Sequence, residues 1–507
     1  MAYDLIGLAA LAAAGAAIAL LPLNLALAAV GGAALAVLTL IRPEYGVYAL
    51  VMAVPFGSLV QVRFSGINVD VSEVCVGLVI VSWLAAGVAR RSVIVPRLPL
   101  TLPLVGFITV LILSWLSALS LVASLKETLK WVQVLLLYSF IGSTFNSVQV
   151  RRTIGLTLAA GGLSALLGAY QFFARVGPDG FLWHTPVGLF MRAYGTFEQP
   201  NPFGGYLGLI APLAYALWLT SFDWAARPAA EVGLLPSSRQ APAAMKTVWR
   251  LLTHTTLYAA LTGLLVLAIV MTWSRGAILG AALALISINI LRSRQVAIAF
   301  LALALLLVGL GALQLLPDVV TQRFLDFLPF LSIPDVNAVE VNPINFAIVQ
   351  RLAHWTAGWK MFEAYPWTGI GIGNYGAVYP LYAPPAWPDS MGHAHNYYLN
   401  IAAEAGLIGL AAYLALWTTV FWQVWRARRR LSGYALGVAL GVFGVLVHLS
   451  AHNFVDNLYV HGMYLHVAIL LGCLAAVIAA SNQPSSTSSE GSAARIAGCQ
   501  QLHRTGR

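Results

Sequence analysis

The stretch LTGLLVLAIVMTWSRGAILGAALALISINILR, Leu261–Arg292, decides the fold. Two apolar runs flank a short polar break, TWSR, with almost no loop between them. Neither run alternates with the period of two that a half-buried strand needs. Extended to their natural limits at 254–273 and 276–291, the runs approach the roughly 20 residues that span a bilayer as a helix. In lipid, every backbone N–H and C=O must be paired within the segment, so an open sheet is excluded and a helical bundle follows. Outward from this pair the same unit recurs at 3–22, 23–41, 45–61, 73–89, 101–123, 125–145, 153–175, 201–221, 296–316, 396–424, 432–450 and 462–480. The reading is an all-α polytopic membrane protein with about 12–14 transmembrane helices, and no internal repeat is evident.

Composition agrees. Of 507 residues, 60% are apolar and 9% charged, against about 25% charged in an ordinary soluble domain. That excludes a soluble globular enzyme and a disordered chain. Three scattered cysteines exclude a disulfide scaffold and a cysteine-built zinc site. MAYD, at the start, has no basic n-region, so the first apolar stretch is expected to be a retained span. Residues 1–480 read as a single polytopic membrane domain, and the Ser-, Gly- and Ala-rich segment 481–507 as a disordered cytoplasmic tail.

The net charge of +10 first suggests nucleic acid. Placing the charges removes that partner. Alternating the connections puts 19 of the 28 basic residues on one side with both termini, including the run Arg426, Arg428, Arg429, Arg430. By the positive-inside rule that side is cytoplasmic, so a multi-pass protein of a bacterial cytoplasmic (inner) membrane with both termini cytoplasmic is expected. About 12 of the 18 acids fall on the opposite side. Two outer loops are long, 176–200 and 317–395, and long patterned loops are usually functional. Within the second, Phe346, Val349, Leu352, Trp355, Trp359 and Phe362 recur three or four apart. An amphipathic helix lying on the outer surface of the bundle or membrane, stopped by Pro366, is expected there.

Four outer segments hold polar clusters. RAYGTFEQPNPFGGYLG starts at Arg192, whose guanidinium fork suits phosphate oxygens; Asn201 before Pro202 reads equally well as a helix cap. TWSRGAILG places Arg275 between two spans. Insertion scales charge an arginine about 2.5–3.5 kcal/mol at a helix centre, so it either snorkels to the interface or lines a polar cavity on a substrate path. Two separated arginines could clamp a diphosphate. YPWTGIGIGNYG carries a glycine string like a dinucleotide loop, but without strand–helix context. It reads as a tight turn whose amides approach a ligand. MGHAHNYYLNIAAEAGLIG sets His393 and His395 where the long loop re-enters the membrane, with Glu404 inside the span. His-x-His without a carboxylate partner makes a weak metal site, so no metal and no cofactor are assigned. A general base is preferred, because an unperturbed histidine titrates near neutral pH. Helical spacing puts Leu399 and Ala402 on the face of His395, while His393 is expected to face elsewhere. A later cluster, HLSAHNFVDNLYVHGMYLH, reads as polar lining, with Asp456 as a supporting group.

The order of these motifs resembles the bacterial O-antigen ligase/polymerase superfamily. It is carried by R-x-x-G-T-F-x-x-P-N from Arg192 to Asn201, S-R-G with R-x(3)-L from Arg275 to Leu279, and H-x-H-N with H-x(10)-G from His395 to Gly406. The likeness is firmest over about 190–425. It implies a C-type membrane glycosyltransferase that takes a glycan from an undecaprenyl diphosphate carrier at the outer leaflet and passes it to a sugar hydroxyl of a glycan or glycolipid acceptor, among membrane lipids. By motif match Arg192 and Arg275 would hold the diphosphate and His395 would activate the acceptor. Asn201, Glu198, His393, Asn396, Glu404 and Arg351 are the substrate-binding candidates around them. No Asp-x-Asp occurs, which argues against the metal-dependent oligosaccharyltransferases. Protein (pilin-type) O-glycosylation stays open as an alternative acceptor, and transport of lipid-linked glycans as an alternative class.

Overall fold

Every apolar run from residue 23 onward is helical over most of its length in the computed structural model. Residues 22–57, 61–64, 67–91, 97–185, 188–224, 243–292, 294–313, 335–342 and 345–482 are described, with residues 15, 19 and 315 besides. The expected span 3–22 and the tail beyond 482 fall outside them, apart from those isolated positions and residue 22.

The helices are α1 (Leu23–Ile41), α2 (Pro43–Phe56), α3 (Val71–Ala89), α4 (Thr101–Leu113), α5 (Leu121–Thr144), α6 (Ser147–Ala174), α7 (Pro200–Gly208), α8 (Ala211–Trp224), α9 (Ala243–Met271), α10 (Arg275–Arg292), α11 (Arg294–Ala312), α12 (Phe346–Ala364), α13 (Tyr375–Tyr382), α14 (Tyr397–Ala427), α15 (Gly433–His452) and α16 (Met463–Ser481). Two short antiparallel hairpins interrupt them: β1 (Gln61–Phe64) with β2 (Ile67–Asp70), and β3 (Leu182–Thr185) with β4 (Gly188–Met191). Among the described residues, eight helices are long and apolar enough to cross a membrane, and three shorter apolar stretches accompany them at Leu25–Ile41, Thr101–Ser117 and Ala297–Gly311. The chain is an all-α polytopic membrane protein.

Local sequence explains the boundaries. Asn146 and Gln149 close a reciprocal capping box at the start of α6, satisfying amides a helix start leaves orphaned. The run 201–221 divides after Gly208, and α8 restarts at Ala211 before Pro212. Helix α15 is a central strut. Its small residues Gly437 and Gly441 lie against Thr220, Leu217 and Leu213 of α8, and Gly444 against Ile288 of α10. Close backbone approach at small residues is how helices associate where lipid supplies no hydrophobic drive.

The glycine string of the long loop has a structural use. Gly369 (φ +69°) and Gly406 (φ +67°) stand back to back where α14 is kinked. A Cβ on Gly406 would overlap the backbone of Trp367, and one on Gly369 that of Glu404. The kink frees backbone groups, and the loop takes them up. Ile370 N–H donates to Ala403 O at 3.0 Å, Gly371 N–H to Glu404 O at 2.9 Å, and Leu407 N–H to Pro366 O at 2.8 Å. Ile372 N–H donates to Ser114 Oγ at 3.0 Å. The expectation that these amides approach a ligand is therefore corrected: the protein itself uses them.

Helix α12 matches the expected amphipathic helix, with a rotated buried face. Val349, Ala353, His354, Ala357 and Met361 are buried, whereas Phe346 and Trp359 are about half exposed. Small residues allow close packing on α14, and the large aromatics are left on the outer side.

Candidate active site at the loop end of the bundle

Three segments distant in sequence meet where the loops join the bundle. Thr272, Trp273 and Ser274 form a tight break between α9 and α10, with Trp273 left-handed at φ +52°. Arg275 is the first residue of α10. Arg192 reaches the same break: its Nε donates to Thr272 O at 2.9 Å, and Ala193 N–H donates to Met271 O at 3.0 Å. Its second fork nitrogen donates to Asn201 Oδ1 at 3.2 Å. Asn201 sits inside α7, which begins at Pro200 after Gln199, so it does not cap the helix as one reading held. It orients the Arg192 guanidinium instead.

Gly276, next to Arg275, packs against His452 and Val455. This brings the start of α10 to the turn after α15, which carries Asp456. From the other side Arg351 of α12 donates from Nε to Val455 O at 3.1 Å. Tyr397 N–H at the start of α14 donates to Asn453 O at 2.7 Å. The turn 452–458 is thus the hub on which the arginine break, helix α12 and the histidine loop converge.

His395 lies outside α14. Asn396 is the N-cap, its side chain accepting from Leu399 N–H at 3.1 Å, and His395 adopts φ +50° just before it. Helical spacing therefore does not govern its direction. His393 does not face elsewhere either: the two ring centroids are 4.4 Å apart, and His395 N–H donates to His393 Nδ1 at 3.1 Å. His395 Nδ1 stands 3.5 Å from Asp456 Oδ1, without hydrogen-bond alignment. Both its ring nitrogens are enclosed and have no hydrogen-bond partner. The His354 ring of α12 meets the His395 ring edge-on at 5.4 Å, and Trp355 Nε1 donates to His395 O at 3.4 Å.

Electrostatics sort these groups. Burial, aided by the neighbouring His395, pushes His354 and His393 down to about 4, so both are neutral at physiological pH. Burial alone would raise the Asp456 carboxyl, yet the His395 ring and the Arg351 charge hold it below the ordinary carboxylate range. A carboxylate facing one nitrogen of an imidazole fixes the proton there and leaves the other nitrogen basic.

The remaining candidates occupy supporting places. Glu404 is buried in α14; its oxygens accept from Tyr375 N–H at 2.8 Å and Asn400 Nδ2 at 3.0 Å, which ties α13 to α14. Asn400 in turn accepts from Ala394 N–H at 3.0 Å and so shapes the His393–His395 turn. Glu198 is exposed, in a left-handed turn beside Phe197, whose ring meets His461. His354 was missed by sequence reasoning, since it lies on the buried face of a helix read by its aromatic stripe. Its only signal was a polar residue between Ala353 and Ala357.

Residues 260–414 match the family model Wzy_C, described as O-antigen ligase. The match takes in Arg275, Arg351, His393 and His395 and covers a little under a third of the chain. It bears out the resemblance to the O-antigen ligase superfamily and supports a membrane glycan ligase or polymerase type of function. No curated protein matches the chain. A solved chain from work described as "Structural coordination of polymerization and crosslinking by a peptidoglycan synthase complex" is 17% identical, covers 76% of this chain and 98% of its own, and has a TM-score of 0.40. At that score the superposition carries no argument.

Proposed function

We propose that this protein transfers or polymerises a glycan from a lipid-diphosphate carrier onto a sugar hydroxyl, at the outer leaflet of a bacterial cytoplasmic membrane, with His395 as general base. The observation that carries the reading is the enclosed His395 ring, with Nδ1 against the Asp456 carboxylate and Nε2 without a partner. With its proton on Nδ1, on the side of Asp456, the ring offers Nε2 to accept the proton of the acceptor hydroxyl. The hydroxyl oxygen bonds to the anomeric carbon, the carbon–phosphate oxygen bond breaks, and the lipid diphosphate leaves with the electron pair. Arg192 and Arg275, gathered at one helix break, take up the leaving-group charge; guanidinium groups and a helix N-terminus suit phosphate oxygens. That step needs no metal. Asn201 holds Arg192, while Arg351 holds the Val455 carbonyl beside Asp456 and His393 holds the His395 backbone. Asn396 and Glu404 shape the surrounding wall.

Orientation is part of the proposal. An impermeant thiol reagent should label a cysteine placed at Asn337 in intact spheroplasts and should not label one at Arg428. The reverse pattern would remove an outer-leaflet reaction altogether. A deletion strain separates the two acceptors. Surface glycan reduced to single attached repeat units identifies a polymerase, and full-length chains stranded on the carrier identify a ligase. Unchanged surface glycans with an under-glycosylated surface protein would favour the protein acceptor.

A further inference from the structure

We propose that His393, His395 and Asp456 form a binding site for a zinc-type divalent transition-metal ion, and that its occupation switches the transfer reaction off. Binding stands on geometry alone, whereas the switch rests on the general-base role of His395. One ligand atom from each residue lies within 4.8 Å of the other two. His395 Nδ1 and Asp456 Oδ1 are 3.5 Å apart without the alignment of a hydrogen bond. Two donors at about 2.0–2.2 Å from a tetrahedral zinc stand roughly 3.3–3.5 Å from each other, so this spacing is that of a coordination edge. His393 Nδ1 accepts from the His395 N–H, which leaves its Nε2 for a metal.

Two imidazoles and one carboxylate form a donor set that suits zinc and its neighbours and not magnesium or calcium, which prefer all-oxygen shells. Three protein ligands leave a fourth position for water. The backbones that carry the ligands are pinned from outside the site, by Arg351 on Val455 O and Trp355 on His395 O. Such outer contacts orient ligands and sharpen affinity.

The switch follows from the tautomer. A neutral imidazole carries one proton. In the active state it sits on Nδ1, facing Asp456, and Nε2 is the base. A metal on Nδ1 moves that proton to Nε2 and turns the base into a donor. The Asp456 carboxylate, now a ligand, no longer pairs with the ring. The acceptor hydroxyl then has nowhere to pass its proton.

The test uses the full chain, purified in detergent without a polyhistidine tag and stripped of metal. Titration with cobalt(II) should give the intense visible bands of a tetrahedral site at one equivalent, and zinc should abolish them. His393→Gln and Asp456→Asn, each checked for a monodisperse elution profile, should lose the bands and weaken zinc binding at least ten-fold. His461→Gln, at a histidine outside the site, should keep them. Zinc should inhibit wild-type transfer with the midpoint at which it displaces cobalt, and a chelator should restore the metal-free rate. Absent bands in the wild type, or bands that survive both substitutions, would overturn the site. Binding without inhibition, or stimulation by zinc, would overturn the switch while leaving the base assignment to its own test.

Discussion

His395→Ala is expected to abolish glycan transfer in a purified assay while lipid-diphosphate donor still binds. A sugar hydroxyl is a poor nucleophile at neutral pH, and a positioned base contributes about 10²–10⁴-fold. Both ring nitrogens are enclosed and unpartnered, and Nδ1 stands 3.5 Å from the Asp456 carboxylate. Asp456→Asn leaves the ring in place but removes the charge that fixes its proton, so a large loss with retained donor binding is expected there as well. His393→Ala removes an acceptor for the His395 N–H and should cost less than either. Equal, mild losses for His393→Ala and His395→Ala would reduce both histidines to interface anchors.

Arg275→Lys is expected to lose most activity although it keeps the charge. A guanidinium presents two parallel donors to a phosphate, and an ammonium presents a point charge. A charge-assisted hydrogen bond is worth about 1.5–3 kcal/mol, so loss of the fork corresponds to about ten- to hundred-fold in turnover, and Arg275→Ala should lose more. The loss should appear with the donor saturating, because the leaving-group charge grows towards the transition state. Arg192→Lys should behave alike, with a further loss of the Thr272 and Asn201 contacts that fix the fork. Near wild-type turnover in a normally inserted Arg275→Ala would leave that arginine as a snorkelling residue at the membrane interface.

Much of this was legible in the chain. Apolar runs such as 276–291 are local signals, set by the requirement that lipid-embedded backbone pair with itself, and each described run is helical. Arg192, Arg275 and His395 were legible because charged and titratable residues beside spans are costly enough to need a reason. Their pairing was not, although Asp456 itself stood out as a supporting group. Asp456 and His354 reach His395 through contacts between segments far apart in sequence, and no local pattern encodes that. The carboxylate that His393-x-His395 lacks nearby in sequence arrives on the turn after α15 for the same reason. Direction was also hidden. His395 was read as helical, but the Asn396 cap leaves it in a left-handed turn, which swings its ring onto that of His393. The glycine string was read as open to a ligand because the sequence carries no mark of the kink at Gly406 that it fills.

Covalent transfer of a glycan, with the lipid diphosphate as leaving group, can be read directly. The direct measurement reconstitutes the purified protein in vesicles with a labelled undecaprenyl-diphosphate glycan and a sugar acceptor, in chelator-treated buffer. Glycosylated acceptor and free undecaprenyl diphosphate should appear in equal amounts, and neither with His395→Ala. Donor that crosses the bilayer intact without either product, or transfer that begins only when a divalent ion is added, would contradict it.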